Sequence, residues 1–136
     1  MAVQRVELRA EARSCGAVRR LVEQLGDALP RTLVRDVSLV ADELVLQSLL
    51  AGDLDPDRDM IVFELDAGRY EVTVAVEDPS DAFRPRRTTD REDRGLGLVI
   101  VDEVADRWDV ERRGQVTRTW ASFRIPSRHP ASGGPG

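Results

Sequence analysis

Apolar and polar residues change their spacing several times along this chain, and each change marks an element. VQRVELRAE, starting at Val3, alternates and predicts a half-buried strand. Ser14 then precedes a stretch of helical period from about Cys15 to Leu29, which Pro30 closes. Thr32 is placed to cap a second helix whose pattern runs from Leu33 to Leu50 and stops at Gly52. After the turn-rich DLDPDRD, the segments MIVFELD and RYEVTVAVED read as two strands joined at Ala67 and Gly68 in an antiparallel hairpin. Residues 79–94, PSDAFRPRRTTDREDR, carry prolines and mixed charges with almost no apolar period, and a long loop of this kind inside a domain is often functional. RGLGLVIVDEVADRW predicts a third helix with Leu98, Val101, Val104 and Ala105 on one face. WDVERRGQVTRTWASFRI predicts a closing hairpin that turns at Arg113 to Gln115.

The order is therefore strand, two helices, two strands, loop, helix, two strands, without internal repeats. It predicts an α+β fold: a two-layer sandwich with a mixed or antiparallel sheet of about five strands and about three helices on one face. A chain of 136 residues is expected to form one domain, here over residues 1–126, with 127–136 as a disordered tail.

Composition narrows the chemistry. The formal charge is -5, which argues against holding nucleic acid by phosphate neutralisation. All 20 basic residues are arginine, so no lysine is present for a Walker-type phosphate loop, a Schiff base or general base catalysis. The single histidine, His129, lies in the tail, which excludes a Ser-His hydrolase or a histidine-ligated zinc site from the domain. Cys15 has no partner for an internal disulfide and reads as a small core residue near a helix start. No apolar run approaches the roughly 18 residues that a membrane span needs, and the amino terminus lacks the apolar centre of a secretion signal. A cytoplasmic address is expected, and what chemistry there is falls to carboxylates, amides, hydroxyls and backbone.

Three separated groups stand out. In ADELVLQSLLAG, Glu43 and Gln47 are four apart and point the same way as Val40 and Leu50, while Val37, Ala41, Leu44, Val45 and Ser48 form a second, apolar stripe. The pair is either a solvated helix edge or a site. Asp78 ends a strand in VAVEDPS, where an aspartate before proline is also an ordinary turn residue. Arg94-Gly95-Leu96-Gly97-Leu98 opens the third helix; its glycines permit close approach and its free N–H groups suit a phosphate, or they simply soften the helix start. The run Arg84 to Arg87, RPRR, could meet phosphates or be balanced by Asp90, Glu92 and Asp93. Trp108 and Trp120 read as core or sheet-face aromatics.

Together and in this order, over about Val6 to Ile125, these groups resemble the GHKL ATPase superfamily of gyrase and histidine kinases. The likeness is to its branch of anti-sigma factor serine kinases and their actinobacterial relatives. RGLGLVIVDEVADRWDV carries the resemblance furthest, and EDPS resembles the family's second box. The resemblance implies ATP and magnesium as cofactors, Asp78 as the residue that hydrogen-bonds the adenine amino group, and Gly95, Leu96, Gly97 and Leu98 as the phosphate-side segment. It implies Glu43 as the catalytic carboxylate and Thr117 or Thr119 as the hydroxyl supporting the aspartate.

The first box departs from the family's Glu-Leu-Val-x-Asn-Ala: it reads ELVLQS, so Gln47 stands where an asparagine ligates magnesium, and Ala51 replaces a histidine. The extra methylene lengthens the side chain by roughly 1.5 Å, whereas magnesium asks for near-octahedral contacts at about 2.0–2.1 Å. Ser80 and Ala82 stand where many relatives carry glycines, and residues 79–94 correspond to the nucleotide lid.

The implied partners are a sigma factor and an anti-sigma factor antagonist of single-domain, sulfate-transporter-like fold, with room for a homodimer and no direct role for nucleic acid or membrane. The implied activity is serine phosphorylation of the antagonist in transcription regulation. The alternative is a non-catalytic, degenerate module that grips partners without ATP turnover.

Overall fold

The alternating segments pair into one antiparallel sheet. In chain order the elements are β1 (Ala2–Arg9), α1 (Ser14–Glu23), a 3-10 turn at Gln24–Asp27, α2 (Arg31–Ala51), β2 (Met60–Ala67), β3 (Glu71–Asp78), α3 (Arg91–Val104), β4 (Arg107–Arg113) and β5 (Val116–Arg124). The computed structural model describes residues 2–51, 54–79 and 91–126. The expectations for Ser80, Ala82, the Arg84 to Arg87 run and the tail lie outside the described residues.

The five strands lie in the order β1-β2-β3-β5-β4, and every neighbouring pair is antiparallel. Register sorts the side chains by the two-residue period of a strand. Ile61, Phe63 and Leu65 of β2, Val72, Val74 and Val76 of β3, and Ala121 and Phe123 of β5 join one buried cluster with helix residues. Val18 and Val22 of α1, and Val37, Val40, Ala41, Leu44 and Val45 of α2, meet them there. Leu98, Val104 and Ala105, the face expected for the third helix, pack against this core beside fully buried Val101. The helix α2 contacts α1, α3, β3 and β5, so it is the central element of the helical layer.

Element ends differ from the pattern where local chemistry decides them. Ser14 is the first residue of α1 rather than its cap, and its hydroxyl donates to the Arg9 carbonyl at 2.7 Å, tying the helix start to the end of β1. The expected run to Leu29 is α-helical only to Glu23 and then tightens, with glycine at position 26 weakening the helix. Leu25 and Leu29 still reach the core. Thr32 lies inside α2, because the Pro30 carbonyl already accepts from the Val34 N–H at 3.1 Å and so begins the helix two residues earlier. The last hairpin turns through Gly114, whose φ of 62° is a conformation that glycine adopts without strain.

Candidate functional site

Asp78 is the last residue of β3, and at 5% exposure it is a buried carboxylate. It continues the helix-facing row of Val72, Val74 and Val76, so this apolar row ends in an acid. Its cross-strand partner on β5 is Thr117, which is also buried, whereas Thr119 lies opposite Val76. Register therefore selects Thr117, not Thr119, as the hydroxyl beside the acid. A buried carboxylate is tolerated where hydrogen-bond donors surround it, and a strand end near a helical layer is a place for a ligand to supply or share them.

On the other side of Thr117 stands Arg112 of β4, paired with it in register. Arg112 Nη1 donates to Thr117 Oγ1 at 2.9 Å. Arg112, Thr117 and Asp78 thus form one row across three strands.

The two carboxylates Asp42 and Glu43 are adjacent in sequence but have separate duties. Asp42 Oδ2 accepts from Arg19 Nη2 at 2.7 Å, which joins α2 to α1. Its carboxylate also raises the arginine's affinity for its proton through that hydrogen bond. Burial pushes the Cys15 thiol up, and Asp42 and then Glu43 add to this against the opposing pull of Arg19. Cys15 is thus a protonated, half-buried thiol, in keeping with a packing role.

Glu43 and Gln47 are both half-buried on α2. Their two neighbours in the expected stripe divide: Val40 is fully buried and Leu50 is 77% exposed. Ten residues separate Val40 from Leu50 and turn the helix to roughly 80° short of three full turns, so the stripe drifts from core to solvent along the helix.

The glycine-bearing segment lies in α3, which packs on α2. Arg91, not Arg94, begins this helix, so Gly95, Leu96 and Gly97 fall within its first two turns. The early start follows from Glu92 and Asp93, whose negative charge favours a helix amino end although they contribute nothing to an apolar pattern. Leu98 is half-buried against the core.

A sequence profile for the histidine kinase-like ATPase domain matches residues 8–123, from the end of β1 almost to the end of β5. The chain belongs to this family. The crystal structure of the RsbU and RsbW domains of Rv1364c from Mycobacterium tuberculosis matches this histidine kinase-like ATPase domain with a TM-score of 0.66 at 16% identity. The match covers 94% of this chain and 34% of that one, so the likeness is one of fold and concerns a part of the larger protein. Among curated proteins, no sequence matches the chain.

Within the ATPase-type domain, the strongly family-like ADRW segment turns out to be structural. Asp106 Oδ2 accepts from the Arg124 backbone N–H at 2.6 Å, Arg107 reaches Glu71 at 3.1 Å, and Trp108 Nε1 donates to Asp102 at 2.9 Å. These contacts fasten the α3–β4 junction to β3 and β5.

The sheet face away from the helices carries a lattice that sequence reading missed. Arg118 bonds Glu64 at 2.8 Å and Glu77 at 2.9 Å, and Arg5 bonds Glu77 at 3.0 Å. Burial alone would push the Glu77 carboxyl up, but hydrogen bonds from Arg5 and Arg118 outweigh it and hold the group below the usual range. Trp120 sits on this face with its Nε1 donating to Glu111 at 3.1 Å and Arg107 stacked 5.8 Å above its ring. The only signal in the sequence was the alternation of charges at every second strand position.

The residues suit an adenine nucleotide at the Asp78 end, where a buried carboxylate stands at a strand terminus. Among the described residues no group of three His, Cys, Asp or Glu side chains could hold a metal. A magnesium ion would be held by the Gln47 side-chain oxygen and by phosphate oxygens and water for the rest, as that ion commonly is.

Proposed function

We propose that this domain binds ATP and serves as an anti-sigma regulatory factor, holding a sigma factor and phosphorylating a serine of its antagonist. The observation that carries the reading is the buried Asp78–Thr117 row ending in a histidine kinase-like ATPase domain. Asp78 accepts from the adenine amino group. The amino-terminal turns of α3, with Gly95 and Gly97, lie on the phosphate side. Glu43 takes the proton from the partner serine Oγ. Bound ATP with magnesium supplies the phosphoryl group, and catalysis of that transfer is largely positioning and charge stabilisation.

One observation favours a second reading, a module that grips its partners without turnover. Gln47 stands in the magnesium-ligand position with one methylene too many. In that case nucleotide and partner still bind, because the adenine end and the outer surfaces do not use Gln47.

The deciding experiment is calorimetric titration with ATP, with and without magnesium, followed by phosphate transfer to a purified antagonist. Under the kinase reading the wild type labels the antagonist, Glu43→Ala abolishes labelling, and Gln47→Asn raises it. Under the binding-module reading neither the wild type nor Gln47→Asn labels the antagonist, yet the complex forms. Failure of ATP to bind under either condition refutes the nucleotide reading itself.

A further inference from the structure

We propose that β1 is a self-association edge: two copies of this chain pair their β1 strands antiparallel about a two-fold axis at Val6, joining their sheets into one. The inference stands on the sheet alone and does not depend on the nucleotide reading.

β1 is an end strand of the sheet, and among the described residues no strand pairs with its outer side. The Ala10 N–H donates to the Asp59 carbonyl at 3.1 Å, and this pair continues the β1–β2 register of Arg9 with Met60. Even-numbered residues of β1 therefore turn their backbone groups to β2, and by the alternation of an antiparallel ladder Val3, Arg5 and Glu7 turn theirs outward. Such an edge is a template for another strand, which proteins ordinarily blunt with proline, a bulge or a charge pointing inward. β1 carries none of these. Its register with β2 is continuous from Ala2 to Arg9, it contains no proline, and the inward row is Gln4, Val6 and Leu8.

Charge selects both the occupant and the register. Val3, Arg5, Glu7 and Arg9 form the exposed row of β1 on the face away from the helices. A two-fold axis perpendicular to the sheet keeps each face on its own side, so residues of this row meet one another. With the axis at Val6, Arg5 lies opposite Glu7 of the second copy and Glu7 lies opposite Arg5 of that copy. These are also the residues whose backbone groups would exchange hydrogen bonds. Sliding the strands by two residues in either direction sets Arg5 against Arg5 or Glu7 against Glu7, and like charges directly opposite destabilise a pair. Arg5 is 52% exposed while bonded to Glu77, and its guanidinium has further donors to give. On the helix side the two Val6 side chains meet and continue the apolar layer, against which Val6 already packs. Pairing ends at Arg9, whose carbonyl is taken by the Ser14 hydroxyl and the Glu11 N–H. The opposite edge, β4, lacks this match: its row of Arg107, Asp109, Glu111 and Arg113 sets like charges face to face in every two-fold register that overlaps more than half of the strand.

The test is sedimentation equilibrium of the full chain, with cross-linking to fix the register. One strand pair is a small interface, so the wild type is expected to dimerise reversibly with a Kd on the order of 10–100 μM. Glu7→Arg places cation against cation twice and should weaken the dimer at least about tenfold, and Arg5→Glu should do the same with anions. An equimolar mixture of these two variants should dimerise at about wild-type strength, because every cation then faces an anion. In a Cys15→Ser background, Val6→Cys should cross-link to itself under mild oxidation, since the residues on the axis have adjacent Cβ atoms. Gln4→Cys should not, because Gln4 lies opposite Leu8 of the second copy. A wild type that stays monomeric at about 1 mM overturns the inference. A dimer indifferent to Glu7→Arg, a mixture that does not recover, or a Gln4→Cys variant that cross-links as fast as Val6→Cys overturns it as well. Should Arg5→Glu fail to fold for want of its bond to Glu77, Glu7→Arg and the two cysteine variants still decide.

Discussion

Replacing Arg118 by methionine removes the hub of the charged lattice on the open sheet face while keeping an unbranched stem that packs over the strands. Arg118 bonds Glu64 and Glu77 at 2.8 and 2.9 Å, and the three side chains are only 15%, 20% and 15% exposed. The variant leaves both carboxylates to Arg5, which is 52% exposed and lies 3.7 Å from Glu64 and 3.0 Å from Glu77. Breaking a fully buried pair costs about 3–5 kcal/mol, and an exposed pair about 0–1 kcal/mol. The intermediate burial here points to about 2 kcal/mol, or a fall in Tm of roughly 6–8 °C for a domain of this size.

The penalty also has a pH signature. The folded state holds the Glu77 carboxyl below its ordinary value, so the unfolded chain binds its proton more readily. That stabilisation is complete above the unfolded glutamate value near about 4.3 and is lost as pH falls through the lowered folded value. The gap between wild type and Arg118→Met should therefore be full at neutral pH and shrink below about pH 4. Thermal melts followed by circular dichroism at neutral and acid pH measure both. A neutral-pH loss under about 0.5 kcal/mol, or a penalty that does not change with pH, would refute the account of this lattice as a stabilising network.

Two further outcomes follow from the same geometry. Leu44→Ala removes a fully buried side chain from α2, the helix that also carries Glu43 and Gln47, and should cost about 2–5 kcal/mol in chemical denaturation, with the lower end expected if the core closes over the gap. Asp78→Asn keeps shape but exchanges an acceptor-only carboxylate for an amide, so ATP affinity should fall by about 1.5–3 kcal/mol, roughly 10- to 150-fold, measured by calorimetry; unchanged binding would remove Asp78 from the site.

Much of the architecture was legible in the order of periodicities. β2, α2 and the closing hairpin follow from residues whose apolar positions repeat at strand or helix spacing, because burial of one face is a local property of the pattern. Element ends were less legible. Ser14 spends its hydroxyl on Arg9, Pro30 starts α2 ahead of Thr32, and the first turn of α3 is entirely charged, so in each place the deciding interaction is a bond that hydrophobic spacing does not record. Of the candidate site, the sequence by itself marked Glu43, Gln47, Asp78 and the glycine-bearing helix as unusual residues for their surroundings. Which threonine stands beside Asp78, and that Arg112 stands behind it, was decided only by the tertiary structure. The physical reason is register: pairing β5 with both β3 and β4 brings residues 78, 112 and 117 into one row, and a slip of one position would have turned every one of those side chains to the other face.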